Sequence, residues 1–157
     1  MAIKVSTGLK RQMLGSVLGS VTDTISLAAG VLRVYSGTQP ATADAAVTGT
    51  LLLQVTVGSG AFVHGVTTNG LDFELSGTTL VKSTSEVWSG IGLAAGTAGW
   101  FRFCGNPSDA GGSSTTLPRI DGRVATSGAE LNLSNLSIQV GATTTVDSFS
   151  LAFPSTL

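Results

Sequence analysis

The residues able to do chemistry are few and widely spaced. His64 is the only histidine, in the segment Phe-Val-His-Gly-Val, and Cys104 is the only cysteine. A histidine can act as a general base, but no motif places a nucleophile beside His64. One histidine and one cysteine are also too few for a zinc site, which needs several such ligands. Because free cysteines are usually buried, we expect Cys104 to pack as a small hydrophobic side chain.

Two carboxylates lie two residues apart in Leu-Asp-Phe-Glu-Leu. On a strand, Asp72 and Glu74 share one face, which formally suits a pair of carboxylates hydrolysing a sugar bond. The alternation with Leu71, Phe73 and Leu75 is, however, that of a half-buried strand. We therefore interpret the two acidic residues as its solvated face.

A third motif, Gly-Ile-Gly-Leu-Ala-Ala at residues 90–95, matches the letters of a dinucleotide-binding fingerprint. That fingerprint binds phosphate only between a strand and the start of a helix. Gly96 and Gly99 would break such a helix, so we interpret the match as chance. The sequence thus predicts no enzyme, no cofactor and no metal site.

The elements around these residues are mostly strands. Charged residues make up 11% of the chain, against about 25% in typical soluble domains. Short apolar runs separated by Gly, Pro, Asn and Ser clusters are typical of a β-sandwich or barrel. The predicted strands are Val31–Tyr35, Leu51–Val57, Leu71–Leu75, Thr79–Lys82, Glu86–Gly90, Gly99–Cys104, Arg119–Ala125, Glu130–Leu133, Ser137–Val140 and Val146–Phe153.

Helix is expected only near the N-terminus. Ser6 or Thr7 can cap a helix, and apolar residues then recur at helical spacing. Two glycines weaken this pattern, so one or two short helices are expected, the second from about Thr22 to Ala29. The apolar face comprises Leu9, Met13, Leu14, Val17 and Leu18. The predicted organisation is an N-terminal helical segment (1–29) and a β domain (30–157) in a single globular unit.

The aromatic residues in Gly-Trp-Phe-Arg-Phe-Cys alternate along one predicted strand. Phe101 and Phe103 are expected in the core, which places Trp100 on the opposite face at a rim or subunit contact. Exposed Trp88 or Trp100 could instead stack on a sugar. A carbohydrate-binding module is therefore an alternative interpretation.

Composition also bears on partners. The formal net charge is −1, and the dispersed basic residues form no stripe of the kind that binds nucleic acid. No apolar run reaches the roughly 18 residues of a membrane span. Lys10 and Arg11 fall where a signal peptide would be apolar, so we interpret the start as part of the mature protein. A near-zero charge gives little repulsion between copies, which favours assembly.

A loop from Ser36 to Gly49 follows the first predicted strand and contains no charge except Asp44. Pro40 limits its freedom, so the loop is a candidate contact arm. The candidate contact residues of the whole chain are Lys10, Arg11, Tyr35, Gln39, Pro40, Asp44, Trp88 and Trp100.

Four segments together resemble a group of small virion structural proteins of tailed bacteriophages. They are Ser-Thr-Gly-Leu-Lys (6–10), residues 30–52, residues 86–105 and residues 119–133. The chain is most similar to capsid cement or decoration proteins of short-tailed phages.

The resemblance implies a β-sandwich of jelly-roll kind on the outer surface of the head. Its implied partners are the major capsid protein and further copies of itself, as a dimer or trimer, with no small-molecule substrate. A tail or tail-tip protein of the same virion is the alternative. The family carries no catalytic residues over to this chain.

Overall fold

Strands dominate the computed structural model, which describes residues 3–17 and 27–152. A mainly β fold is thereby confirmed. Within these ranges the elements are β1 (Lys4–Val5), α1 (Thr7–Val17), β2 (Val31–Ser36), β3 (Leu51–Val57), β4 (Phe73–Ser76), β5 (Thr79–Lys82), β6 (Trp88–Ile91), β7 (Gly96–Cys104), β8 (Arg119–Ala125), β9 (Leu131–Leu133), β10 (Ser137–Ile138) and β11 (Thr143–Ala152).

Each of the ten predicted strands has a counterpart among these elements, and β3, β5 and β8 have the predicted bounds. Strand β1 was not predicted, because two residues are too few to show a period. The predicted end of the last strand, Phe153, lies outside the described residues. The predicted second helix falls largely on residues 18–26, also outside them, and residues 27–29 form a bend and a turn.

The sheet closes on itself. Antiparallel neighbours run in the order β8, β7, β2, β3, β6 and β11, and β9 then pairs with both β11 and β8. The β9–β8 pairing is parallel and completes the ring. Strand β1 joins β8, β10 joins β7, and the β4–β5 hairpin extends from β11. The result is a barrel-like closed sheet, and this pairing does not confirm the two separate sheets of a jelly-roll sandwich.

Aromatic side chains fill the interior of the ring. Phe101 and Phe103 are fully buried, as predicted. Ring centroids lie 4.7 Å apart for Phe73 and Phe103 and 5.7 Å apart for Trp88 and Phe149, distances at which tilted aromatic pairs attract. The indole N–H of Trp88 donates to Glu86 Oε2 at 2.8 Å. This one cluster joins residues from β4, β6, β7 and β11.

The last strand carries the irregularity that its sequence indicates. Alternation of apolar residues breaks at Ser148, which predicts a bulge. Pairing of β11 with β9 shifts register between Val146 and Ser148, so the bulge is confirmed. It leaves Phe149 and Leu151 buried.

The opposite face of β2 and β7 is buried as well. Two segments cover it, residues 37–50 and 105–118, which together are called the loop layer below. They bond to each other, since Val47 N donates to Gly111 O at 2.9 Å and Ser114 N donates to Asp44 O at 2.8 Å. Cys104 lies beneath this layer and is buried, as predicted.

Ser6 joins α1 to the barrel. Its Oγ accepts from Leu9 N at 3.1 Å, which caps the helix as predicted. The same oxygen accepts from Arg119 N at 2.9 Å and donates to Leu117 O at 2.8 Å. The hydroxyl is fully buried, so each of the three partner groups depends on it.

We expect Ser6→Ala to lower the free energy of unfolding by about 2–3 kcal/mol, because buried polar groups lose their partner. Urea denaturation followed by circular dichroism measures this. Ser134→Ala, at an exposed serine, is the matched control and should change stability by less than about 0.5 kcal/mol. An equal effect of the two substitutions would contradict the role given to Ser6.

Candidate contact surface

A buried ion pair lies on the outer face of the barrel. Arg102 on β7 and Asp121 on β8 are register partners, and neither side chain is exposed. Arg102 Nε and Nη2 each donate to a different carboxylate oxygen of Asp121 at 2.7 Å. This two-pronged geometry is the strong form of the interaction. The remaining nitrogen, Nη1, donates to the carbonyl of Ala45 in the loop layer at 3.0 Å.

A second buried pair repeats this arrangement. Arg119 on β8 donates to both oxygens of Asp109, from Nε and Nη2, at 2.6 Å. It also reaches two loop carbonyls, those of Ala43 at 3.3 Å and Gly112 at 2.8 Å. Arg33 on β2 donates to the carbonyl of Asp109 at 2.6 Å. Three arginines of the sheet therefore hold the main chain of both loops.

Burial and ion pairing shift the pKa values of Asp109 and Asp121 in opposite directions. Burial raises the pKa of Asp121 and is only partly offset by Arg102. Burial also acts to raise the pKa of Asp109, but hydrogen bonds from Arg119 and from the Gly111 amide outweigh it and hold that pKa below its ordinary value. Burial and the nearby Asp109 raise the pKa of Cys104 to about 12. The thiol is therefore not a nucleophile in the folded protein.

The start of α1 fixes the edge of the loop layer. Thr7 donates from N at 2.8 Å and from Oγ1 at 2.5 Å to the Asp44 carboxylate. A negative charge is favourable at the positive end of a helix. Lys4 Nζ also donates to the Pro40 carbonyl. Between helix and loop lies a cleft of about 690 Å³, lined in part by Lys10 and Met13.

The candidate contact residues divide into two groups. Lys10 and Arg11 are exposed and Asp44 is half-buried, so their contact role stays a prediction. The remaining five need correction, because their side chains are buried and cannot touch a partner directly. They are Tyr35, Gln39, Pro40, Trp88 and Trp100.

Both tryptophans pack inside the protein and are not exposed at its surface. Trp88 lies in the barrel interior, and Trp100 stacks on Tyr35 beneath the loop layer with ring centroids 4.6 Å apart. Both have 0% exposure. The expected rim position of Trp100 is wrong, because the loop layer covers that face. Neither indole is exposed to stack on a sugar, so the carbohydrate-binding module stays a prediction that these two side chains do not support.

The candidate chemical groups bind neighbouring segments. His64 Nδ1 lies 3.2 Å from the Asn106 carbonyl. Asp72 accepts from Ala29 N at 2.8 Å, whereas Glu74 accepts from Thr84 N at 2.8 Å and from the Ser83 hydroxyl. The Ser83 and Thr84 hydrogen bonds lower the pKa of Glu74. The two carboxylates thus stabilise different turns.

The described residues hold no group of three or more His, Cys, Asp or Glu side chains placed to bind a metal. Nor does this part of the chain contain a helix long and apolar enough to cross a bilayer. The glycine-rich motif at 90–95 runs from the end of β6 into a bend before β7. No helix follows it to complete a phosphate site.

Comparison with family models, curated proteins and solved structures gave no match to this chain. The resemblance to phage structural proteins therefore rests on the four sequence segments alone and stays a prediction.

Sequence reasoning missed the residues that organise this surface: Arg102, Asp109, Arg119 and Asp121. One signal was available. Only 11% of the residues of this chain are charged, and Arg102 lies in an otherwise apolar strand. Phe101 and Phe103 occupy one face of that strand, and Arg102 shares the other face with a tryptophan and a cysteine. A charge in such a strand requires a buried partner.

We expect Asp121→Asn to lower the free energy of unfolding by about 3–5 kcal/mol, because the Arg102 charge stays buried without its partner. Replacing both residues, as Arg102→Met with Asp121→Leu, should recover most of this loss. The Val47 amide, bonded to Gly111 O, should still exchange faster in the double variant, because the bond from Arg102 to Ala45 O is gone.

Denaturation and amide hydrogen exchange measure the two effects separately. Asp147→Asn removes an exposed carboxylate and should change stability by less than about 0.5 kcal/mol. Unchanged exchange at Val47 in the double variant would show that Arg102 does not hold the loop.

The lowered pKa of Asp109 predicts a pH dependence. The unfolded carboxyl takes up its proton near pH ~3.9, whereas the folded one does so only at lower pH. The stabilisation from Asp109 is therefore fully present above about pH 5 and is lost as pH falls through the folded pKa. Denaturation from pH 7 to 3 should show the stability gap between the unsubstituted protein and Asp109→Asn closing in acid. A gap constant across this range would contradict the role of the ionised carboxylate.

Proposed function

We propose that this chain is a non-enzymatic structural subunit that docks through its loop layer onto a repeating protein surface. The observation that carries the proposal is the set of hydrogen bonds from arginine side chains of the sheet to the loops above them. Arg102, Arg119 and Arg33 hold backbone carbonyls of loops whose outward side chains are small and mostly uncharged. A loop ordered before docking loses little conformational entropy when it binds.

The outward side chains of the layer suit such a contact. Exposed positions in residues 37–50 include Thr42, Ala46 and Thr48, and those in 105–118 include Ser113 and Thr116. Burying hydroxyl and methyl groups costs far less desolvation than burying charges. Hydroxyl groups also supply the roughly one hydrogen bond per 100–200 Å² that a protein interface contains.

The repeating surface that we propose is a bacteriophage head shell. The four sequence segments favour a capsid cement or decoration protein on the outer face of the capsid, with the major capsid protein as partner. Many copies of a modest contact add up on such a lattice. The jelly-roll sandwich implied by the resemblance stays part of this proposal. A tail or tail-tip protein is the second candidate, since it would share the same composition.

We expect Thr42→Lys to lower the number of copies bound to heads about tenfold or more, because it places a charge in the proposed interface. Heads from the phage that encodes the chain, stripped of it and then incubated with the purified variant, would be sedimented and their bound protein quantified. Thr126→Lys is the matched control, at an exposed threonine in the β8–β9 turn, and should bind as the unsubstituted chain does.

The number of copies of the chain in each virion distinguishes a head location from a tail location. A head protein should be present in hundreds of copies and should raise the temperature at which heads lose their DNA. A few copies confined to the tail would support the second candidate. Absence of the chain from purified particles would overturn both.

A further inference from the structure

One Asn-Gly pair occurs in this chain, Asn69 followed by Gly70. An asparagine before glycine loses its side-chain amide spontaneously more readily than in front of any bulkier residue, because glycine has no side chain to shield its backbone nitrogen. The pair lies near the end of the segment that connects β3 to β4. Asn69 has a φ of 61°, a left-handed conformation that asparagine adopts more readily than most residues. The pair is therefore a candidate site of covalent modification.

The reaction at such a pair needs no enzyme and no cofactor. The backbone nitrogen of Gly70 gives up its proton and attacks the side-chain carbon Cγ of Asn69. The bond from Cγ to Nδ2 breaks, and the amide nitrogen leaves as ammonia with that proton. Water then opens the resulting cyclic imide at either of its two carbonyl groups. The product is aspartate or isoaspartate, and the chain gains a negative charge.

Both reacting nitrogens are hydrogen-bonded in the folded chain. The attacking nitrogen, Gly70 N, donates to Thr67 O at 3.1 Å. The leaving nitrogen, Asn69 Nδ2, donates to Ala61 O at 2.8 Å. The backbone carbonyl of Asn69 also accepts from Val57 N at 3.0 Å. Because the attack requires a deprotonated nitrogen and a rotated side chain, the first two of these bonds must break before it can occur.

Close packing holds the Asn69 amide in this position. A Cβ atom added to Gly60 would lie 2.5 Å from Asn69 Cγ and 2.6 Å from Nδ2, so the amide packs directly over Gly60. That glycine is itself held, since Thr56 Oγ1 donates to its carbonyl at 2.7 Å. On the other side, a Cβ atom on the buried Gly70 would lie 2.3 Å from Ala29 O. The side chain is therefore not free to turn toward Gly70 N while these contacts last.

We propose that Asn69 is a latent modification site, which the fold protects and which converts to aspartate or isoaspartate only in chains whose 57–70 segment has opened. Neither product carries the Nδ2–H donor, so the bond to Ala61 O is lost. Isoaspartate also adds a methylene group to the main chain directly before the buried Gly70. The next residue, Leu71, exchanges two hydrogen bonds with Gly30 at the entry to β2. A modified chain therefore cannot restore the original contacts when it closes again.

Rates of deamidation test the proposal. The folded chain and a synthetic peptide of residues 64–75 would be incubated in the same neutral buffer, and peptide mapping by mass spectrometry would follow the loss of Asn69. We expect the folded chain to react at least about tenfold more slowly than the peptide, because only locally opened molecules can react. Equal rates would overturn the proposal. This comparison uses no variant, so it does not depend on whether a substitution is tolerated.

Gly60→Ala tests the packing contact directly. Its added Cβ displaces the Asn69 amide from Ala61 O, so the rate should rise at least about tenfold toward that of the peptide. Gly112→Ala is the matched control, because Gly112 also lies in a loop and a Cβ there meets nothing within 4 Å. This variant should react as the unsubstituted chain does. Circular dichroism would verify that both variants are folded, and a folded Gly60→Ala that reacts no faster than Gly112→Ala would also overturn the proposal.

Discussion

The arrangement of this protein depends on two arginine–carboxylate pairs that are buried outside the barrel. Removing such charges from water costs about as much free energy as their attraction returns. Their net contribution to stability is therefore small compared with that of the aromatic interior. What they contribute is position, because each guanidinium uses its remaining N–H groups to hold a loop carbonyl. Arg102 and Arg119 thereby couple β7 and β8 to both halves of the loop layer.

This coupling explains how a barrel of short strands keeps two long loops in place. Residues 37–50 and 105–118 contain few large apolar side chains, so hydrophobic burial alone cannot order them. Hydrogen bonds from the sheet, from the helix start at Thr7 and between the loops provide the order instead. Ser6 links the same helix to β8. The start of α1, the loop layer and the barrel wall are thus connected by hydrogen bonds.

Much of the fold follows from local pattern, whereas its closure does not. Alternation places Phe101 and Phe103 inward, the break at Ser148 marks the bulge, and Ser6 caps the helix, because each depends on residues close in sequence. The ring is completed by β9, a three-residue strand that pairs in parallel with β8. The sequence predicts this strand, as Glu130–Leu133, but no local pattern reveals that it pairs with both β11 and β8. The faces of β7 were predictable too, but a second covering layer was not, so Trp100 was expected at a rim.

The arginine side chains hold the loops through hydrogen bonds to backbone carbonyl oxygens, which every residue has. Outward positions such as Ala46 and Thr115 add no side-chain bond to that support in the described structure. Their identity can therefore change without loosening the main chain, as long as glycine and proline positions are respected. The groups that order the loops are thereby separate from the outward side chains, which can vary without disturbing that order. It is in this sense a display scaffold, on which a library of outward side chains could be selected against new targets.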